Sequence, residues 1–240
     1  MGTSIKEDQC LLEETDSKFY LHVGTTKSRD FIVVTAASKM SSEVHLLPGL
    51  AAMPYQLRLV HHREAGLEYF VECWRDQLII LANNTTSGNY ALYTTCITKP
   101  QKQHWNVVIG DNDEFVIEDL EMNRQKLMPV SLIVPISSFR CVLLTRTFKG
   151  QGLKIIDMDT DCREPVDVSL PEWCKQITLG ANLDFYSDNF CFFISSPIHK
   201  TEAFEYNFAT KQCLSDPSDV SLEPELLPIV WLLRKNLVLF

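Results

Sequence analysis

A strand–turn–strand cassette occurs four times along this chain, and its spacing restricts the folds open to it. The copies read Phe31-Ile-Val-Val-Thr with Glu43-Val-His-Leu-Leu, Leu78-Ile-Ile-Leu with Tyr90-Ala-Leu-Tyr, Cys141-Val-Leu-Leu-Thr with Leu153-Lys-Ile-Ile-Asp, and Cys191-Phe-Phe-Ile-Ser with Ala203-Phe-Glu-Tyr-Asn-Phe. Each is a run of β-branched or aromatic residues, a polar break and a second such run, as paired strands require. The cassettes begin 47, 63 and 50 residues apart. The longest interval contains Asn123–Ser138, sixteen residues with Pro129 and Pro135 that read as an insertion; without them that interval also becomes 47. A period in the high forties with several short strands per repeat is the signature of β-propeller blades.

Further strands complete four per repeat. Phe19-Tyr-Leu-His-Val and Tyr55-Gln-Leu-Arg-Leu-Val flank the first cassette, Leu67-Glu-Tyr-Phe-Val-Glu and Trp105-Asn-Val-Val-Ile the second, and Phe115-Val-Ile-Glu-Asp-Leu and Val166-Asp-Val-Ser-Leu the third. Gln176-Ile-Thr-Leu and Asp184-Phe-Tyr lead into the fourth. Turn residues separate them at Gly24, Ser28–Asp30, Arg75-Asp76, Thr86–Asn89, Lys149–Gly152 and Ser187–Asn189. Helical periodicity is nearly absent. The expected fold is therefore all-β, a partial propeller of about four antiparallel four-stranded blades. Its expected divisions are an N-terminal segment 1–18, the blades over 19–219 with the insert at 123–138, and a divergent apolar tail over 220–240.

With 45% hydrophobic residues the chain can bury a sizeable core, and its composition is not that of a disordered protein. A net charge of −9 and the lack of a dense Lys/Arg stripe argue against nucleic acid as a partner. The acidity reads as a means of solubility, with a preference for basic peptides as the sharper alternative. None of the eight cysteines forms a C-x-x-C pair, and adjacent His61 and His62 point to opposite faces of a strand, so no zinc set assembles. Cys141 and Cys191 open apolar strands, where a reduced thiol packs as a small hydrophobe. Met1–Asp16 is polar and acidic rather than a signal peptide, so eight free thiols in a reducing cytosol are expected. On that view the overlapping sequons at Asn83 and Asn84 are a polar turn. Leu226–Phe240 carries Arg234 and Lys235 and falls short of the roughly 20 apolar residues that span a bilayer, so no membrane partner is expected.

Residues in and between the cassettes resemble the prolyl oligopeptidase family of serine peptidases. Ser42-Glu-Val-His-Leu-Leu47 is similar to that family's T-S-E-V-x-L-L strand, and Arg63-Glu-Ala-Gly-Leu-Glu-Tyr69-Phe-Val71 to its R-x-x-G-x-x-Y-x-V blade entry. Asp76-Gln-Leu-Ile-Ile-Leu-Ala-Asn-Asn84 resembles its D-x-L-x-I-L-T-N strand. Ser195-Ser-Pro-Ile-His199 through Tyr206 and Thr210-Lys211 resembles the stretch that closes its last blade. The likeness runs over roughly residues 10–215, is distributed, and is nearest to the oligopeptidase B and prolyl-endopeptidase-like branch. It implies the last four blades of a seven-bladed propeller that gates access of short peptides to a separate α/β-hydrolase domain. The insert has no placed counterpart. After Asp219 the chain departs from the family's return to the hydrolase domain, and the tail reads as a truncated or alternatively spliced end.

Catalysis by this family needs a Ser on a G-x-S-x-G elbow, then Asp, then His. None of the nine glycines begins that motif, so no catalytic residues are expected in this chain. His199 beside Pro197 reads as a turn residue. Glu114, Glu118, Asp119 and Glu121 read as a solvated strand face rather than an acid/base pair. Asp157, Asp159 and Asp161 hint at a calcium loop but lack its Gly and closing Glu. Trp105 and Trp173 read as blade-packing residues, with peptide stacking a minor alternative. No cofactor or metal is expected. Two functions stand: the substrate-gating, non-catalytic part of an oligopeptidase, cytoplasmic and partnered by its hydrolase domain, or a stand-alone propeller module that binds proteins.

Overall fold

The computed structural model describes residues 10–49, 56–124, 139–160 and 163–215. They form sixteen strands: β1 (Tyr20–Thr25), β2 (Phe31–Ala37), β3 (Ser42–Pro48), β4 (Arg58–His61), β5 (Tyr69–Trp74), β6 (Gln77–Ala82), β7 (Ala91–Cys96) and β8 (Asn106–Ile109) in the first half. The second half holds β9 (Val116–Arg124), β10 (Phe139–Thr147), β11 (Gly150–Asp157), β12 (Val166–Asp167), β13 (Gln176–Leu179), β14 (Asn189–Ser196), β15 (His199–Asn207) and β16 (Gln212–Ser215). The single helical piece among the described residues is a 3-10 turn at Lys102–His104. No helix among them is long and apolar enough to cross a membrane.

The strands make four four-stranded sheets, each in sequence order: β1-β2-β3-β4, β5-β6-β7-β8, β9-β10-β11-β12 and β13-β14-β15-β16, here sheets I to IV. The meander of antiparallel neighbours is the blade of a propeller, so the chain is a partial β-propeller. Each cassette supplies the two middle strands of a sheet. Val34 lies opposite His45, Leu144 opposite Leu153, and Phe192 opposite Phe204. Residues with Cα atoms opposed across a ladder share a face, so the third and fourth cassettes present apolar rows to one core, whereas in the first His45 and Glu43 stand opposite Val34 and Ala36.

Contacts divide the chain into two compact units, one built on Met1–Asn83 and Tyr93–Asn106, the other on Asn84–Leu92 and Val107–Val220. In the first, Ser42 at the start of β3 meets β5: its hydroxyl donates to the Tyr69 carbonyl and accepts from the Tyr69 amide. Val44, Leu46, Leu67, Val71, Cys73, Leu78 and Ile80 are buried. In the second, sheets III and IV share a core. Val142, Leu144 and Leu153 pack with Ile177, Phe190, Phe192, Ile194, Phe204 and Tyr206. The Arg124 amide donates to the Phe185 carbonyl at 2.7 Å, and the Ile177 amide to the Gln151 side-chain carbonyl at 2.7 Å, which stitches the two sheets at separate heights.

The fourth blade is completed differently from the sequence expectation. Asp184-Phe-Tyr is a turn, not a strand: the Asp184 carboxylate accepts the Tyr186 amide and its carbonyl accepts the Ser187 amide. A short Asp that can bond two residues ahead favours a turn over a ladder. The fourth strand is β16, beyond the fourth cassette. The loop entering this turn is close to the sheet: a Cβ on Gly180 would lie 2.7 Å from the Cys191 carbonyl oxygen, so only glycine fits there. Tyr55, residues 125–138 of the expected insert, Asp161, Cys162 and the tail 220–240 lie outside the described residues.

Candidate functional site

The residues singled out from sequence do not converge. Glu118 on β9 accepts hydrogen bonds from Arg146 and Gln151, tying it to β10 and β11, while Glu114 and Asp119 are exposed. Asp157 accepts the Asp159 amide, and Asp159 accepts the Phe139 amide at 2.8 Å, so this pair caps the entry to β10. Buried Cys73 has its thiol pushed up to about 12, first by burial and then by Asp30 and Glu72. Such a thiol is inert. Burial likewise raises Cys191.

One Ser–His pair does form. The Ser196 hydroxyl and His199 Nδ1 are 3.0 Å apart across the tip of the β14–β15 hairpin. The same hydroxyl accepts the His199 amide at 3.2 Å, which is turn chemistry. The exposed imidazole stacks on Trp173, with ring centroids at 4.5 Å, rather than being oriented by a carboxylate. Among the described residues no carboxylate is hydrogen-bonded to this imidazole, the orienting contact that an acyl-transfer triad uses.

The densest polar constellation lies in the first unit and was not assembled by sequence reasoning. The Tyr69 hydroxyl donates to the His61 carbonyl and accepts the Val44 amide at 2.9 Å, bridging β3, β4 and β5. Its ring is fully buried and packs 5.5 Å from Trp105, which also contacts His61 and Tyr93. Desolvation raises its phenol pKa far beyond the usual range. His61 Nε2 is 2.7 Å from Glu64, whose other oxygen takes Lys102 at 2.6 Å. Lys102 first and His61 second hold the Glu64 carboxyl below its ordinary range.

Beside this network Arg63 acts as a clamp. Its Nη2 donates to Glu14 at 2.7 Å and lies 3.5 Å from Glu43, its amide donates to Glu43 at 3.2 Å, and its guanidinium sits 4.0 Å over the Phe19 ring. Gly66, at φ 84°, makes the turn between this clamp and Tyr69. The R-x-x-G-x-x-Y spacing thus has a physical meaning: Arg63 holds the chain entering β1, Gly66 reverses it, and Tyr69 locks β5 to the preceding sheet.

In the second unit the β10–β11 and β14–β15 hairpin tips carry Phe148, 94% exposed, and Ile198, 87% exposed. Residues 171–175 pass between them. Trp173 stacks on His199, the Lys175 amide donates to the Ser195 carbonyl at 3.1 Å, and Gly150 of the first hairpin lies against the Lys175 backbone. The result is one surface with apolar tips among Lys149, Lys175 and Lys200.

Known proteins share this fold. The profile of the prolyl oligopeptidase N-terminal β-propeller domain matches residues 1–132. Prolyl endopeptidase-like of Xenopus laevis is 24% identical over 213 residues, 89% of this chain and 28% of that protein. Protease 2 of Moraxella lacunata is 32% identical over 128 residues, 53% of this chain and 18% of that protein. The structure of oligopeptidase B from Leishmania major superposes with a TM-score of 0.76 at 19% identity, covering 90% of this chain and 29% of that one. The chain therefore spans less than a third of the length of each of these relatives.

Proposed function

This chain belongs to the prolyl oligopeptidase family, as part of its N-terminal propeller, and from that premise we propose that it serves as the substrate-gating part of a serine oligopeptidase. The chemistry would reside on an α/β-hydrolase domain outside these 240 residues. The observation that carries this reading is the pairing of a family propeller with the lack of a G-x-S-x-G elbow in the sequence. A ring of blades over an active site admits an extended oligopeptide and excludes a folded protein, which gives selectivity by size without any chemical group on the blades.

Strand direction supports a place for the partner domain. In each meander the first strand starts, the second and third join, and the fourth finishes at the same end of the sheet. Sheet IV therefore hands on the chain after Ser215 from the end that bears Ile198, and sheet III carries Phe148 at the corresponding end. A domain that follows the propeller would be tethered beside these apolar tips. The same tips favour a second reading, a stand-alone module that binds other proteins through them.

The full-length transcript separates the two. An in-frame G-x-S-x-G followed by Asp and His supports the gating reading; its lack downstream supports the module. The encoded full-length protein should then cleave peptides of about ten residues while leaving a folded protein of the same scissile sequence intact. Equal cleavage of both would refute gating.

A further inference from the structure

The Arg63 clamp contains a group whose protonation it cannot accommodate. His45 lies on β3 next to the register shift between Val44 and His45. Its side chain is 12% exposed, and Nε2 faces Glu43 Oε1 at 3.8 Å. Nδ1 is buried and has no hydrogen-bond partner among the described residues. Its cross-strand neighbours, Val34 on β2 and Leu59 on β4, are uncharged. The charged and titratable groups around it are Glu43 on its own strand, His62 and Arg63 on the loop after β4, and Glu14 through Arg63.

With His45 neutral, the line Glu14–Arg63–Glu43 is complete. An imidazolium is a donor at both nitrogens. At Nε2 it would draw Glu43 towards itself, in competition with Arg63, whose amide and guanidinium both use that carboxylate. At Nδ1 it would place an N–H where nothing accepts it, a cost relieved only if water enters or the side chain swings out. Either movement separates β3 from the loop that holds Phe19 and Glu14.

We propose that His45 makes this end of sheet I an acid-sensitive latch: its protonation opens the Arg63–Glu43 contact and releases residues 14–19 from β3. The direction follows from the surroundings. Desolvation first, then Arg63 and His62, hold the imidazole below its ordinary pKa, and Glu43 opposes them. For a histidine depressed in the folded state, the stability due to the neutral form is complete above the unfolded value of about 6.5. It is lost as pH falls from there through the lower folded value. Glu14 and Glu64 are held below the usual carboxylate range, so they stay ionised across that window.

The test is amide hydrogen exchange at Arg63 and Phe19 in the full 240-residue chain between pH 7.5 and 5.5, corrected for intrinsic rates. The Arg63 amide donates to the Glu43 side chain and reports the clamp directly, while the Phe19 amide, bonded to the Asp16 carbonyl, reports the order of the segment that the clamp holds. The wild type should lose protection by about tenfold on acidification. His45→Phe and His45→Gln should each be flat, while His62→Gln should behave as the wild type. Two substitutions at His45 are used so that a folding defect in one leaves the other informative. A wild-type profile that is flat, or a His45 variant with the wild-type slope, overturns the latch.

Discussion

Removing one oxygen atom from Tyr69 tests the claim that this hydroxyl, rather than the ring alone, joins the first two sheets. In Tyr69→Phe the ring remains buried against Trp105, so no cavity of consequence forms. Two backbone groups lose their partner. The Val44 amide is on a residue 1% exposed, and an unpaired buried amide costs about 1–3 kcal/mol. The His61 carbonyl is on a half-buried residue that water can reach, so its loss costs about 0.5–1 kcal/mol. The substitution should therefore destabilise the first unit by about 1.5–4 kcal/mol. Tyr69→Ala adds the loss of ring packing, about 3–5 kcal/mol more, and should leave that unit unfolded at 25 °C. Urea denaturation followed by fluorescence, in a background that keeps Trp105 and replaces the other three tryptophans by Phe, reads the unit that contains it. Faster hydrogen exchange at Val44 assigns the change to the lost bond. A Tyr69→Phe variant within about 0.5 kcal/mol of the wild type would refute the reasoning, because a fully buried donor cannot lose its acceptor so cheaply.

The chain alone should neither hydrolyse prolyl or basic oligopeptides nor label with a fluorophosphonate; specific labelling lost on Ser196→Ala would show that the Ser196–His199 pair is a nucleophile after all. Expressed alone it should self-associate in a concentration-dependent way, and Phe148→Asp with Ile198→Asp should shift sedimentation towards monomer; an unchanged distribution would place the association elsewhere. Gly180→Ala should lower the melting temperature of the second unit by several degrees, since its Cβ would meet backbone rather than a movable side chain. With a disulfide-exchange reagent at pH 8, exposed Cys10 and Cys96 should react in seconds to minutes while buried Cys73 and Cys141 wait for unfolding; early modification of Cys73 would contradict its raised pKa and burial.

What could be read from the sequence was whatever is written locally. The cassettes declared themselves because alternation along a strand and a polar break of a few residues are both short-range signals, as in Leu144 opposite Leu153. Local signals also misled. Asp184-Phe-Tyr carries strand-forming aromatics, but the Asp184 carboxylate settles that stretch as a turn by a bond to the second residue along. The strand that takes its place, β16, is four residues with Cys213 and Leu214 between polar ends, too short to stand out from a loop. The constellation in the first unit was beyond such reading. Glu14 and Arg63 are 49 positions apart, and Val44 and Tyr69 are 25 apart. No pattern along the chain says which carboxylate an arginine will find; the register of β3 against β4 and the reversal at Gly66 decide it.

The family resemblance marked Arg63, Gly66 and Tyr69 as belonging together, and the structure supplies the reason in terms of bonds. A repeat fold must solve one problem at every blade: the outer strand of one sheet has to be connected to the inner strand of the next without leaving backbone groups dry and unpaired. Here the loop after β4 does so with a guanidinium for the entering chain, a glycine for the reversal and a phenol for the buried amide of β3. The guanidinium and the phenol both bond within the first unit. Among the described residues, the large apolar side chains with the highest fractional exposure, Phe148 and Ile198, stand at hairpin tips away from this connection. The chemistry divides the roles within the blade: polar groups satisfied inside it hold the connection, and the apolar tips are left outside that network.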